Sequence, residues 1–150
     1  MTFDHLGILV TDLLAGRALI GPTFGISQWT REYEDPLQDV FAQFGRDASG
    51  ICYEIVAPRS DKSPVQRSLS SKVNTINHVA YLVERIELEQ ARLAGEGFIA
   101  IGQPKSGIAF DQQPIQFFVS STRLLIELIE APHHLHDFCH SYQYNRDAEH

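Results

Sequence analysis

The sequence has little cysteine and no long apolar run, and both absences narrow the class of protein. Two cysteines among 150 residues cannot form a disulfide framework, so Cys52 and Cys139 are expected to be free thiols in a reducing, cytoplasmic setting. The apolar runs are far shorter than the about 20 residues of a membrane helix. Asp4 and His5 interrupt any N-terminal secretion signal. We therefore expect a cytoplasmic protein without a membrane span.

Basic residues are also scarce. Twelve Lys and Arg stand against 19 Asp and Glu, a formal net charge of −7, which argues against a broad nucleic-acid surface. A small anionic substrate held by a local basic patch remains open. The apolar fraction of 43% and the charged fraction of 21% are typical of one globular domain with a real core.

An internal repeat with an offset of 73 residues is the main feature of the chain. Residues 3–10 (FDHLGILV) match residues 76–83 (INHVAYLV) at this offset, and each segment carries one histidine at the same place, His5 or His78. Both segments are apolar enough to predict strands. Repeats of this kind indicate a fold built from two copies of one unit.

The same offset returns at the other end of each half. Residues 53–58 (YEIVAP) correspond to residues 126–132 (IELIEAP), with one residue inserted before the Ala-Pro. Each segment carries one glutamate, Glu54 or Glu127, which follows the histidine of its own half by 49 residues. A His and a Glu repeated at equal spacing in apolar strands indicate a shared site.

The residue pattern of each half predicts one strand, then a helix, then three further strands. The helices are expected over residues 12–20 and 85–94, and glycines follow both of them. Turn residues separate the further strands, which we place at 27–33, 39–46, 98–103 and 115–120.

The modules are then residues 1–58 and 76–132, within one domain that ends at residue 132. A polar, serine-rich linker over 59–75 joins them. Residues 133–150 hold five of the seven histidines, and we predict a short helix with exposed histidines there, in preference to a second metal site. Residues 102–114 are a candidate lid over a pocket.

Strand alternation places each histidine beside a very small side chain. His5 shares a face with Gly7, and His78 shares a face with Ala80. The small side chains are expected to leave space for a substrate next to each imidazole. Gly7 and Ala80 are therefore candidate substrate contacts.

Polar side chains on apolar strand faces are costly to bury unless they are paired or bind a metal. Two imidazoles and two carboxylates suit a divalent ion such as Zn, Ni, Co, Mn or Fe(II), and we predict that one such ion is bound by His5, Glu54, His78 and Glu127. Open coordination positions would make the site catalytic. The metal can stabilise an enolate next to a carbonyl while Glu127 or Glu54 moves a proton.

The same segments resemble the vicinal oxygen chelate superfamily, which includes glyoxalase I, methylmalonyl-CoA epimerase, extradiol dioxygenases and bleomycin-resistance proteins. The resemblance covers about residues 3–132 and is closest to the epimerase-like branch through DH at 4–5, EIVAP at 54–58, NHVA at 77–80, QPK at 103–105 and LIEL at 125–128. It implies an α+β fold of two tandem βαβββ modules that form a cup-shaped mixed sheet around the metal. It also implies a homodimer and the ligand order that the repeat predicts.

The branches of this superfamily differ in their ligands and acids. Bleomycin-resistance proteins lack metal ligands, so a full ligand set argues against that branch. Extradiol dioxygenases use two His and one Glu with iron, so Glu54 in a fourth position disfavours them. Glyoxalase I resembles this site and uses a metal-bound Glu as its base. Methylmalonyl-CoA epimerase needs a further, unligated Glu, and Ala42 stands at that position, beside Gln43.

The resemblance thus implies a divalent-metal-dependent lyase or isomerase that acts on a small, oxygen-rich substrate, with a thioester among the candidates. The alternatives are a non-catalytic sequestering protein of the bleomycin-resistance type and an Fe(II) dioxygenase.

Three further side chains are candidate substrate contacts. Gln43 lies beside the position of the missing acid, and Cys52 shares a strand face with Glu54, although a buried structural thiol is the alternative. Lys105, together with the basic residues of the linker, is a candidate grip for a phosphate or carboxylate, with a solvated loop as the alternative. The linker bases are Arg59, Lys62, Arg67 and Lys72.

Overall fold

Residues 1–71 and 76–142 are described by a computed structural model. Within these ranges the chain forms ten strands, three α-helices and one 3-10 turn, Ile108–Phe110. The helices are α1 Leu13–Phe24, α2 Pro64–Ser70 and α3 Ile86–Gly95. The strands are β1 Thr2–Leu9, β2 Gln28–Trp29, β3 Tyr33–Asp35, β4 Val40–Arg46, β5 Cys52–Pro58, β6 Ile76–Leu82, β7 Ile99–Gly107, β8 Gln113–Val119, β9 Leu125–Ile129 and β10 His140–Ser141. In the part of the chain so described, no helix has the length and apolar character needed to cross a membrane.

The strands form one mixed sheet in the order β10-β2-β4-β5-β1-β6-β9-β8-β7, with β3 paired to β4. In each half the first strand pairs in parallel with the last, β1 with β5 and β6 with β9. The halves join through the antiparallel pair of β1 and β6. This arrangement confirms the predicted α+β fold of two βαβββ units. The exact module and domain boundaries remain predictions.

The first half differs from the sequence prediction at two elements. The α1 helix is capped by the Asp12 side chain, which accepts from the backbone N–H of Ala15, and it continues to Phe24 rather than ending at residue 20. The strand expected over 27–33 is divided into β2 and β3. Thr30 lies at the break, where its hydroxyl accepts from the backbone of Phe44 and its carbonyl accepts from the Gln43 amide. Thr30 also donates its backbone N–H to the Phe44 carbonyl at 2.9 Å, so the break stays attached to β4 by both backbone and side-chain bonds.

The expected linker contains the helix α2. Ser63 caps it by accepting from the backbone N–H of Val65, and Pro64 occupies the first helical position, which proline favours. Val65 packs against Leu9 and Val56 of the sheet. The polar composition of the segment concealed this apolar contact. Residues 72–75, the last of the predicted linker, lie outside the described ranges.

The predicted C-terminal helix is not formed in residues 133–142. This segment begins with a turn at residues 132–133 and ends in β10, which pairs with β2. Phe138 and Tyr142 pack against the core clusters of the sheet, and these long-range contacts favour the observed path over a helix. Residues 143–150 lie outside the described ranges.

The predicted lid over 102–114 is mostly strand. The β7 strand continues to Gly107, and the 3-10 turn leads directly into β8. The pairing of β7 with β8 shifts register between Ile101 and Lys105, and Gly102 in this stretch has a positive φ of 67°. The glycine therefore makes a bulge within the hairpin rather than a hinge.

Substitution of Gly45 tests the packing of the first half. An added Cβ would lie 2.6 Å from Ile26 and 2.9 Å from the Trp29 ring, so we expect Gly45→Ala to lower the free energy of unfolding by about 1–3 kcal/mol. Gly95→Ala is the matched control, because a Cβ there meets no atom within 4 Å. Urea unfolding of both variants measures the difference, and equal stabilities would contradict this packing.

Candidate metal centre

The four predicted ligands come together on the four central strands of the sheet. His5 Nε2 lies 3.1 Å from His78 Nε2 and 3.1 Å from Glu54 Oε2. His78 Nε2 lies 3.2 Å from the same Glu54 oxygen, and Glu127 Oε2 is 3.3 Å from both imidazole nitrogens. All four ligand atoms lie within 4.8 Å of one another.

Strand register explains why these side chains meet. Gly7 pairs with Glu54 on one side and with His78 on the other. Ala80 pairs in the same way with His5 and Glu127. Directly opposed residues point to the same face of a sheet, so the two rows project one His and one Glu each toward a common point.

The space beside the histidines has a different use from the one predicted. A Cβ at Gly7 would lie 2.0 Å from Cε1 of His78, so the missing side chain makes room for the imidazole of the other half. Ala80 is fully buried opposite His5. Neither residue, although predicted as a substrate contact, lines the cavity described below.

The outer nitrogen of each imidazole is also held. His5 Nδ1 lies 2.7 Å from Asp4 Oδ2, and His78 Nδ1 lies 3.0 Å from Asn77 Oδ1. Metal-binding histidines commonly donate this N–H to a carboxylate or carbonyl oxygen, which turns the other nitrogen toward the ion. Sequence reasoning assigned no role to Asp4 or Asn77, although the offset of 73 relates them.

Two phenylalanines fix the planes of the imidazoles, and sequence reasoning missed both. Phe44 meets His5 edge-on with ring centroids 5.2 Å apart, and Phe117 meets His78 at 5.3 Å. Phe44 and Phe117 are again separated by 73 residues. Comparison of every repeated position would have found them.

Mutual pairing governs the charges of the four groups. Burial raises the pKa of Glu54, but the nearby His5 and His78 lower it by a larger amount, so that the pKa falls to about 2. The pKa of Glu127 is likewise lowered by the imidazoles against the effect of burial. Burial lowers the pKa of both histidines, and the carboxylates more than reverse it, so both values rise above the ordinary 6.5.

The donor set fits a divalent metal ion. Glu127 Oε2 is buried, and none of the described residues hydrogen-bonds to it. Metal–nitrogen and metal–oxygen bonds of about 2.0–2.2 Å place two ligands of one ion about 3.0–3.4 Å apart, which agrees with the 3.1–3.3 Å separations between imidazole and carboxylate atoms. A divalent cation would also neutralise the two carboxylates.

A cavity of about 310 Å³ opens onto this cluster. Glu54, His78 and Glu127 line it, and Lys105 supplies the one side-chain ammonium group among the lining residues of the described chain. Lys105 Nζ lies 3.4 Å from the carbonyl oxygen of Leu37. Lys105 is thus the one predicted substrate contact, apart from the ligands, that faces the cavity.

Gln43, which was also predicted as a substrate contact, does not line the cavity. Its side chain is fully buried, accepts from Arg17 at 2.6 Å and donates to the carbonyl of Thr30 at 2.8 Å. Alternation along β4 sends Gln43 to the opposite face from Ala42, which does line the cavity. Ala42, where the resemblance led us to expect the epimerase-type acid, thus presents only a methyl group to the cavity.

Cys52 and the linker bases of the described residues do not line the cavity. Cys52, a predicted substrate contact, is a buried member of the core, and burial raises the pKa of its thiol to about 12. Arg59 pairs with Glu34 and Asp39 instead. Neither Lys62 nor Arg67 lines the cavity, and Lys72 lies outside the described residues.

Comparison with known families and structures gives a consistent result. The family described as the Glyoxalase/Bleomycin resistance protein/Dioxygenase superfamily matches residues 4–117. A hypothetical protein from Bacillus halodurans superposes with a TM-score of 0.75 at 22% identity, over 91% of this chain and 98% of that one. No curated protein sequence matches significantly.

Methylmalonyl-CoA epimerases have the same fold. The enzyme from Mycobacterium tuberculosis superposes with a TM-score of 0.72 at 21% identity, over 85% of this chain and 86% of its own. A variant of the Streptomyces coelicolor enzyme in complex with 2-nitronate-propionyl-CoA gives 0.70 at 20% identity, over 86% and 96%. At these identities the likeness establishes a shared fold and no more.

Substitution of Gly7 tests the register that builds the centre. Gly7→Ala would place a methyl group inside the His78 ring position, so we expect the imidazole to be displaced and metal affinity to fall at least about 10-fold, as for a lost ligand contact. Titration with Zn²⁺ followed by calorimetry measures this loss. Gly95→Ala, distant from any neighbour, should bind metal normally, and normal binding by Gly7→Ala would contradict the register.

The charge pairing predicts a pH dependence for protein stripped with a chelator. The lowered pKa of Glu54 stabilises the fold above pH 4.5, and this contribution is lost as the pH falls toward 2. The raised pKa of His5 stabilises the fold below pH 6.5 and is lost as the pH rises through the folded value.

Thermal unfolding across pH should therefore show greatest stability between about pH 4.5 and 6.5 for the stripped protein. Added Zn²⁺ should reverse the alkaline decline, because metal binding favours deprotonated ligands. A stripped protein that gains stability steadily above pH 7 would contradict the pairing.

Proposed function

The chain belongs to the glyoxalase/bleomycin resistance protein/dioxygenase superfamily, and on that premise we propose that it is a divalent-metal-dependent isomerase or lyase that moves a proton next to a carbonyl. The observation that carries the proposal is the convergence of two imidazoles and two carboxylates beside one cavity, which Glu54, His78 and Glu127 line. When bound, the metal would act as a Lewis acid toward a substrate oxygen. His5, Glu54, His78 and Glu127 would hold it.

The proton carrier is one of the two glutamates of the centre. Among the described residues that line the cavity, the carboxylates are Asp35, Glu54 and Glu127. Asp35 Oδ1 accepts two backbone N–H groups of its own turn, each at 3.0 Å, which fixes it in a structural role. Ala42 offers no acid. Among the carboxylates, this leaves Glu54 or Glu127 for proton transfer, as in the glyoxalase I type of site.

The cavity favours a substrate with an apolar body and an anionic end. Ile101, Phe117 and Leu125 are among the apolar side chains that line it, and Lys105 is its ammonium group. The α2 helix adds Pro64 and Val65 to the lining. The epimerases with the same fold are crystallised with CoA esters, which supports a thioester as the substrate class.

A sequestering protein is the second candidate, and the observation that favours it is Ala42. A cavity that lacks the epimerase-type acid at this position can bind an oxygen-rich compound without turning it over. The iron dioxygenase is less well supported, because Glu54 adds a fourth ligand to the two-histidine, one-carboxylate set of such enzymes. The homodimer and the cytoplasmic setting stay predictions.

Metal content and hydrogen exchange together test the proposed function. Protein purified without a histidine tag should carry about one divalent ion per chain by elemental analysis. With methylmalonyl-CoA as the first probe, the protein in D₂O should incorporate deuterium at the α-carbon faster than buffer does, as NMR measures. Exhaustive chelation should abolish this exchange. Wild-type exchange after chelation would refute the proposal, and binding without exchange would favour sequestration.

Glu127→Gln and Glu54→Gln identify the proton carrier. Glutamine keeps an oxygen ligand but cannot accept the proton, so the variant of the true base should bind metal and lose about 10²–10⁴-fold in exchange rate. The matched control is Glu96→Gln at an exposed position outside the cavity, which should exchange normally. If Glu127→Gln and Glu54→Gln both keep full activity, neither glutamate is the base.

A further inference from the structure

The C-terminal strap, defined as residues 131–142, connects the two halves of the sheet. It leaves the end of β9 in the second half and ends in β10, which pairs with β2 of the first half. Arg46 lies over the ring of Phe138 at 4.5 Å, and Arg17 lies over the ring of Tyr142 at 4.4 Å. The strap lies beyond the residues matched by the superfamily, so family likeness assigns it no role.

His136 of the strap contacts the support of a metal ligand. Its Nε2 lies 2.9 Å from Asp4 Oδ2, the same oxygen that lies 2.7 Å from Nδ1 of His5. The side chains of His136 and Asp4 are each 6% exposed, and that of His5 is fully buried. A continuous, buried hydrogen-bonded row therefore runs from the strap to the centre.

Aromatic packing holds His136 at this position. Its ring stacks on Phe44, with centroids 4.3 Å apart and planes inclined by 28°, and it meets Phe110 edge-on at 5.6 Å. Phe44 also packs against the ring of His5. The strap histidine and the ligand histidine thus share both a carboxylate and an aromatic neighbour.

The residue that precedes the ligand histidine differs between the two halves of the repeat, and this difference accounts for the contact that His136 makes. In the second half, neutral Asn77 accepts from His78. In the first half, Asp4 is a buried carboxylate, which needs more than one donor to offset the loss of water. His5 supplies the first of these donors, and His136 supplies the second.

We propose that His136 is a positioning residue for the metal ligand His5 and acts by fixing the Asp4 carboxylate. The strap is then part of the support of the centre, and metal affinity depends on a segment beyond the two modules. This inference rests on the metal centre of the proposed function.

Two substitutions separate the hydrogen bond from the packing. His136→Phe keeps a ring against Phe44 and loses the donor, whereas His136→Gln loses the ring and keeps an N–H that reaches Asp4. Exposed His133→Ala is the matched control on the same strap. Circular dichroism first verifies that each full-length variant is folded.

Titration with Co²⁺, followed by its visible absorption, measures affinity and ligand geometry. Loss of a residue that hydrogen-bonds to a metal ligand weakens metal affinity about 10–100-fold. Because His136 contacts the ligand His5 only through Asp4, we expect His136→Phe to weaken Co²⁺ binding roughly 3- to 10-fold and to shift the absorption bands. His136→Gln and His133→Ala should resemble the wild type.

Three outcomes of the titration would overturn the proposal. One is a His136→Phe variant with wild-type affinity and spectrum. Another is a His136→Gln variant as weak as His136→Phe, because packing alone would then explain the loss. The third is a second Co²⁺ per chain that depends on His136, which would make Asp4 and His136 ligands themselves.

Proton NMR of protein stripped of metal tests the role of His136 separately from the proposed function. The N–H between His5 and Asp4 should give a downfield resonance in the wild type that shifts or exchanges faster in His136→Phe and is retained in His136→Gln. If wild-type protein binds no Co²⁺, the proposed function fails, and this resonance still decides whether His136 positions His5. An identical resonance in all variants would refute the positioning role.

Discussion

The antiparallel pairing of β1 with β6 is the constraint on which the rest of the structure depends. It sets Gly7 opposite His78 and His5 opposite Ala80, and the parallel strands outside this pair add one glutamate to each row. A slip of one residue would turn a histidine to the other face of the sheet. The small residue opposite each histidine is equally necessary, because the His78 imidazole occupies the space that a side chain at Gly7 would fill.

A second constraint follows from the burial of this cluster. Two carboxylates and two imidazoles within 4.8 Å, on strands that otherwise carry core residues, would destabilise the fold without compensation. Partial compensation comes from mutual pairing and from the hydrogen bonds of Asp4 and Asn77. A divalent ion would supply the remainder. The strap also contributes to this compensation, because His136 is the second hydrogen-bond partner of the Asp4 carboxylate.

The proposed reaction depends less on the fold than on the side chains that line the cavity. One fold can hold similar ligands for different reactions. In this chain Ala42 offers no acid to the cavity, and Asp35 is held by the backbone of its own turn. Under the proposed function, these two features assign proton transfer to the glutamates of the centre. Lys105 and the α2 helix then support the proposal of a thioester or another substrate with an anionic end.

The sequence by itself determined the two-unit architecture and the four residues of the centre, because a 73-residue offset relates entire strands and alternation assigns their faces. The same offset contained Asp4 with Asn77 and Phe44 with Phe117. Only the tertiary structure decided which neighbours those faces meet. The space at Gly7 belongs to an imidazole, Gln43 faces away from the cavity, and the strap crosses to β2 because distant core contacts outweigh local helical spacing. Periodicity reports the face a side chain occupies, whereas strand pairing and long-range packing determine what lies against it.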